Sequence, residues 1–233
     1  MTWRDGGIVG ADSETTGVNV ETDRIVTFCV GLAAPTGWTA KVWLLRQSQP
    51  IPPEATAVHG ITTEHANNHG VDPAAALAEI RDDLYRGWAL GLPVCIYNAP
   101  YDTTILDRDL RRHHLGGFEI RGPVIDPLVI DKATDKWRKG SRRLVDVAAH
   151  HGIRLAVEDA HGAEADALAA CRLAWKLGRG WLDLTDLHQW QAEQYAAQRR
   201  SFAAHLAKRG EKLDDPSTDW PIRPHTATST DTA

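Results

Sequence analysis

Gly7-Ile8-Val9-Gly10-Ala11-Asp12-Ser13-Glu14-Thr15-Thr16-Gly17 decides how the rest of the chain is read. Its first half is a short apolar run of the kind that fills a buried strand, and the run ends in an acid. A carboxylate in that place costs stability unless something offsets its desolvation. On an extended strand residues i and i+2 share a face, so Asp12 and Glu14 point the same way, close enough to share a cation. A lone Asp-x-Glu is more often two acids facing water. Two further segments change its weight. Asn98-Ala99-Pro100-Tyr101-Asp102 follows the apolar run from Leu92 to Tyr97, and Pro100 starts a helix with Asp102 in its first turn. An acid there also suits the helix dipole. His161 precedes Asp166 at the start of an alanine-rich helix. The spacing leaves His161 in the loop and Asp166 about one turn inside. Asp166 sits among Ala, Leu and Cys, so it faces something that needs charge.

Three separated segments that each offer a carboxylate are what a divalent-cation site requires. Mg²⁺ and Mn²⁺ take carboxylate oxygens, and two such ions clamp an in-line phosphoryl displacement. His161 is placed to take a proton from the attacking water. The pairs His113-His114 and His150-His151 have no acid at a comparable offset and read as surface.

Working outward, Arg24 to Leu32 is β-rich and Trp38 to Leu45 alternates apolar and polar, with turns at Gly17-Val18-Asn19 and Pro35-Thr36-Gly37. Three strands with short links predict an antiparallel meander. The pattern then changes. Gln47 to Pro53 reads as a Pro-bearing loop. Asp72-Pro73 caps a helix running to about Gly87, with Ala76, Leu77, Ile80 and Leu84 on one face. A buried strand lies over Leu92 to Tyr97, a helix over Asp102 to His114, and a short strand over Gly122 to Asp126. Asp126-Pro127 opens another helix, Ser141 caps one from Leu144 to His151, and Ala163 to Leu177 is long and alanine-rich. The order βββαβαβααα predicts a mixed sheet of five strands flanked by helices. Beyond it, Leu182 to Lys208 predicts an amphipathic helix with Leu187, Trp190, Tyr195, Phe202 and Leu206 on one stripe. Thr226 to Ala233 has the composition of a disordered end, while Trp220-Pro221 offers an anchor.

The 233 residues, 42% of them hydrophobic, suffice for one mid-sized domain with an appendage. A net charge of −5 excludes a basic nucleic-acid coat and leaves phosphate steering to a local patch. Lys132, Lys136, Arg138, Lys139, Arg142 and Arg143, with Trp137 among them, form such a patch; it reads equally as a solvated loop or as a track for phosphates and bases. Cys29, Cys95 and Cys171 are scattered and odd in number, which predicts buried thiols in a reducing compartment. No stretch is long and apolar enough to span a bilayer, and Met1-Thr2-Trp3-Arg4-Asp5 has no apolar signal core.

From Gly7 to Leu177 the chain resembles the DEDDh 3′–5′ exonucleases, also called DnaQ-like or epsilon-type, on the ribonuclease H-like fold. Asp12 to Gly17 is similar to the first exonuclease motif, Asn98 to Asp102 to the second, and His161 with Asp166 to the third. Val58-His59-Gly60-Ile61-Thr62-Thr63 is similar to a further segment of the epsilon-type branch. The resemblance implies that Asp12, Glu14 and Asp166 hold one Mg²⁺ or Mn²⁺ ion. Asp12 and Asp102 would serve a second, with His161 the general base. It further implies that Thr15 and Val18 meet the terminal nucleotide, and that His59 and Asn98 seat the strand end. Val18 is smaller than the Leu or Met common in the family, and Tyr101 replaces a common Phe.

The expectation is therefore a metal-dependent exonuclease that releases nucleoside 5′-monophosphates from the 3′ end of single-stranded or frayed DNA. Proofreading, repair or phage replication is its setting. An RNA-trimming enzyme of the same superfamily and a non-catalytic nucleic-acid scaffold are the alternatives. Residues 1–180 are assigned to the exonuclease domain, 181–210 to a C-terminal helix and 211–233 to a flexible tail. That helix serves as a packing arm or as a contact for a polymerase or another replication partner. Extensions ending in Trp-Pro, like Trp220-Pro221, are similar to those in exonuclease-like proteins of high-GC bacteria and their phages, which implies a bacterial or phage protein of the cytoplasm. The oligomeric state is left open.

Overall fold

A computed structural model describes residues 3–153, 162–181 and 183–225. The expected meander is present: β1 (Ile8–Thr15), β2 (Ile25–Ala34) and β3 (Gly37–Leu44) are antiparallel neighbours. β4 (Val94–Cys95) pairs parallel to β1, and β5 (Val124–Ile125) pairs parallel to β4, giving the order β3-β2-β1-β4-β5. Because β4 is parallel to β1, with Val9 opposite Val94, the chain leaves both strands at the same edge of the sheet. That edge receives Asp12 and Glu14 from β1 and Asn98 from β4.

The helices are α1 (Trp3–Gly6), α2 (Pro53–His59), α3 (Thr63–His69), α4 (Pro73–Ala89), α5 (Ala99–Arg112), α6 (Pro127–Thr134), α7 (Leu144–His150), α8 (Ala163–Leu177) and α9 (Leu184–Ala207). Asp72 caps α4 as expected, its carboxylate accepting from the Ala75 N–H at 3.0 Å. One face of the sheet packs α4 and α5, where Val9, Ala11, Phe28, Leu77, Ile80, Leu84, Ile105, Leu106 and Leu110 form the main core. The other face packs α6, α8 and α9 around Ile8, Cys95, Ile125, Ile130, Cys171 and Leu187. The three cysteines are buried free thiols. Among the described residues no helix is long and apolar enough to cross a membrane.

Four sequence expectations shift. Pro53, read as the end of the Pro-bearing loop, instead opens the first of two seven-residue helices, Pro53–His59 and Thr63–His69, separated at Gly60, whose φ of 76° is the left-handed conformation glycine permits. Ser141 does not cap α7; Arg143 holds the cap position, and the Ser141 hydroxyl accepts from the Arg143 N–H instead. The Lys132–Arg143 segment is divided in its roles, because Arg138 and Arg142 turn inward to Asp131. His151 is not a free surface residue: its Nε2 lies 2.8 Å from the same buried carboxylate.

α9 covers β5 through side chains that act as a further strand would. Gln191 accepts from the Asp126 N–H at 2.7 Å and donates to the Val124 carbonyl at 3.0 Å, while His188 Nδ1 accepts from the Val124 N–H. The edge of the sheet is thereby closed. Of the expected stripe, Leu187 and Tyr195 are buried with Gln191 between them, and Phe202 is largely exposed. After α9 the chain returns to α5. Trp220 is buried, the Thr103 hydroxyl donates to the Pro221 carbonyl, and the Arg223 N–H donates to Thr104.

A candidate metal centre at the edge of the sheet

Gly10 sets the approach of α8 to the sheet. A Cβ there would lie 2.6 Å from Cys171 Sγ and 2.9 Å from the Ala167 carbonyl, so only glycine admits the helix at this distance. Gly31, its partner on β2, makes room for the Trp38 ring in the same way. Asp12 and Glu14 continue the α8-facing side of β1, and Asp166 stands one residue before Ala167 on the helix so admitted. Ligand oxygens of Asp12, Glu14 and Asp166 consequently all lie within 4.8 Å of one another.

These acids carry a large electrostatic cost. Burial, then the charges of Asp102, Asp166 and Glu14, raise the Asp12 carboxyl well above its ordinary range, although part of the residue still meets solvent. Burial, with Asp166 and Asp102, pushes Glu14 up to about 7. Asp102 is also pushed up to about 7, by burial first, against the pull of its hydrogen bonds with Ser13. It is the fourth residue of α5, and its Oδ1 accepts from the Ser13 hydroxyl at 2.6 Å. Asp102 thus joins the other acids electrostatically but is tethered to the opposite side of β1. A cluster of hard oxygen donors that repel one another is the donor set a divalent cation fits.

The start of α5 is fixed by a residue whose part the sequence reading did not see. Asp126, fully buried at the end of β5, accepts from the Asn98 and Ala99 N–H groups, both at 3.0 Å, and also caps α6 through the Leu128 N–H. This holds Asn98 in the left-handed conformation, φ 64° and ψ 47°, from which α5 departs toward Asp102. The only sequence signal was the Asp-Pro pair that opens α6.

Thr15, Tyr101 and His59 gather beside the acids. Thr15 Oγ1 lies 2.6 Å from the Tyr101 hydroxyl, which donates to the Gly17 carbonyl at 2.5 Å. His59, the last residue of α2, has its imidazole held below its ordinary value by burial, against an opposing pull from the Thr15 backbone. Val18 is 90% exposed at the tip of the following loop. That loop is rigidly held: Asp23 accepts from the Asn19 N–H at 2.7 Å, and Arg112 and Arg108 of α5 bind the Asp23 carbonyl and the Glu21 carboxylate. Asp12, Glu14, Asp102, Thr15, Val18, His59 and Asn98 are therefore placed around one edge, with Asp166 facing it from α8. His161 lies outside the described residues.

Residues 9–174 match the RNase T-type exonuclease family. An uncharacterized exonuclease of Escherichia phage 186 is 30% identical over 183 residues, covering 73% of this chain and 86% of the relative. A DNA polymerase III subunit epsilon-like protein of Rhodobacter capsulatus is 30% identical over 135 residues, 58% of this chain and 18% of its own length. The fold resembles the zinc-bound complex of E. coli exonuclease I with single-stranded DNA, at TM-score 0.64 and 18% identity over 86% of this chain and 45% of that one. It also resembles the same enzyme with a dT13 oligonucleotide, at TM-score 0.62 and 20% identity over 85% and 46%. The chain spans less than half the length of those structures. It belongs to the RNase T-type exonuclease family, on the ribonuclease H-like fold.

Proposed function

We propose that this chain is a DEDDh-type, divalent-cation-dependent 3′–5′ exonuclease that releases nucleoside 5′-monophosphates from single-stranded or frayed DNA. The observation that carries the reading is the convergence of Asp12, Glu14 and Asp166, from β1 and α8, with their oxygens within 4.8 Å. Two Mg²⁺ or Mn²⁺ ions held there supply Lewis-acid activation and charge neutralisation for in-line phosphodiester hydrolysis. Asp12, Glu14 and Asp166 hold the first ion, and Asp12 with Asp102 serves the second. Ser13 keeps the Asp102 carboxylate oriented. Val18 enters as a wedge against the last base, while Thr15, His59 and Asn98 seat the terminal sugar and phosphate. His161 is assigned the general base on its five-residue spacing to Asp166 alone. DNA is favoured over RNA by the named substrates and partners of the similar proteins.

In this reading residues 1–180 carry the activity, the 181–210 helix and the 211–233 tail are accessories to it, and a polymerase or replication partner in a bacterial or phage-infected cytoplasm is the setting. The test is digestion of a 5′-labelled oligonucleotide with Mn²⁺. A ladder shortening from the 3′ end, lost with EDTA and with Asp12→Ala and severely reduced with His161→Ala, is expected. Undiminished cleavage by Asp12→Ala contradicts the mechanism.

A further inference from the structure

The segment from Asp135 to Arg143, between α6 and α7, is built on a costly foundation. Asp131 of α6 is fully buried, yet three cationic or protonatable side chains converge on its carboxylate: Arg138 at 2.6 Å, His151 at 2.8 Å and Arg142. Burial would raise this carboxyl, and the bonds from His151, Arg142 and Arg138 outweigh it, so its pKa lies below the ordinary range. Arg142 also donates to the Asp135 carbonyl at 2.6 Å, bracing the two ends of the segment together. Its carbonyl accepts from the Tyr97 hydroxyl at 2.6 Å, which ties the segment to the residue next to Asn98 at the acidic edge. A solvated connection needs no such anchor.

What the anchor supports is an aromatic ring in water. Trp137 is 84% exposed and adds nothing to the core, with Lys136 Nζ 5.2 Å from its ring centroid and Lys139 exposed beside it. A large apolar face between exposed lysines, on a segment tied through Tyr97 to the acidic edge, matches a strand of stacked bases and phosphates in both shape and charge.

We propose that the 135–143 segment is a platform for the incoming single strand: Trp137 stacks on a base upstream of the 3′ end, and Lys136 and Lys139 meet the adjoining phosphates. This rests on the exonuclease reading above and adds to it a second point of contact, away from the acids. A polynucleotide long enough to reach Trp137 is held better than one that spans the cleavage site alone.

The test compares kcat/KM for a single-stranded 20-mer with that for a dinucleotide, in Mn²⁺, for wild type, Trp137→Ala and Trp137→Phe. Stacking of one base contributes about 1–3 kcal/mol, so the 20-mer-to-dinucleotide ratio is expected to fall roughly 10-fold in Trp137→Ala, through KM, and to be largely kept in Trp137→Phe. An unchanged ratio in Trp137→Ala overturns the platform and leaves the exonuclease standing. Equal loss on both substrates assigns Trp137 a structural part and also overturns it. If wild type releases nucleotides from neither substrate, the exonuclease reading fails and the platform with it.

Discussion

At the scale of single residues, the centre is a set of charges in conflict with its surroundings. Glu14 is pushed up from about 4.5 to about 7, first by burial and then by Asp166 and Asp102. A carboxyl raised in the fold binds its proton more tightly there than in the unfolded chain. Its contribution to stability is then complete below about pH 4.5 and is lost as the pH climbs through about 7. Asp12, also raised by burial and by the neighbouring carboxylates, contributes in the same sense. The metal-free protein is therefore expected to lose thermal stability from pH 5 to pH 8, and Mn²⁺ is expected to raise Tm more at pH 8 than at pH 5. The Asp12→Asn variant should be the more stable apo-protein at pH 8 and should gain little from Mn²⁺; scanning calorimetry across this pH range checks both. Asp12, Glu14, Asp102 and Asp166 were all legible in the sequence, since each sits in a short local motif. Ser13 and Asp126 were not: their partners lie 89 and 28 residues away, and no periodicity marks such a bond.

At the scale of elements, what matters is how closely α8 lies on β1. A side chain at Gly10 would meet Cys171 Sγ and the Ala167 carbonyl, and the second is backbone that cannot swing aside. Gly10→Val is expected to destabilise the protein by about 1–3 kcal/mol, as overpacked cores do. The displaced helix carries Asp166, so cleavage should fall further than the loss of folded protein accounts for. Thermal denaturation and a cleavage assay at a temperature where the variant is folded separate the two effects. The long elements were readable from pattern and caps: the meander, α4 behind Asp72-Pro73, and the alanine-rich α8. Two short helices escaped. α2 and α3 have seven residues each, too few for a helical period to show, and the Pro52-Pro53 pair masked the start of α2. β4 and β5 were read from their apolar runs, of which only two residues apiece pair.

At the scale of the whole molecule, residues from β1, α5 and α8, spread over more than 150 positions, meet because the sheet order places β4 beside β1 and Gly10 lets α8 close over them. The C-terminal part closes the opposite flank. Gln191 and His188 occupy the backbone groups of β5, and the chain then returns to bury Trp220 against Asp126, whose carboxylate its indole approaches at 3.4 Å. The apolar stripe of α9 was legible, but Gln191 at its centre was not, because a buried glutamine declares itself only through the strand it completes. The proposed function requires that Asp12, Glu14, Asp102 and Asp166 form a single site for divalent cations. Calorimetric titration of Mn²⁺ into metal-free protein at pH 8 tests it most directly. Two ions bound by wild type, with binding lost in Asp12→Asn and the first ion weakened at least 10-fold in Asp166→Asn, is the expected result; Mn²⁺ binding that neither substitution alters would contradict it.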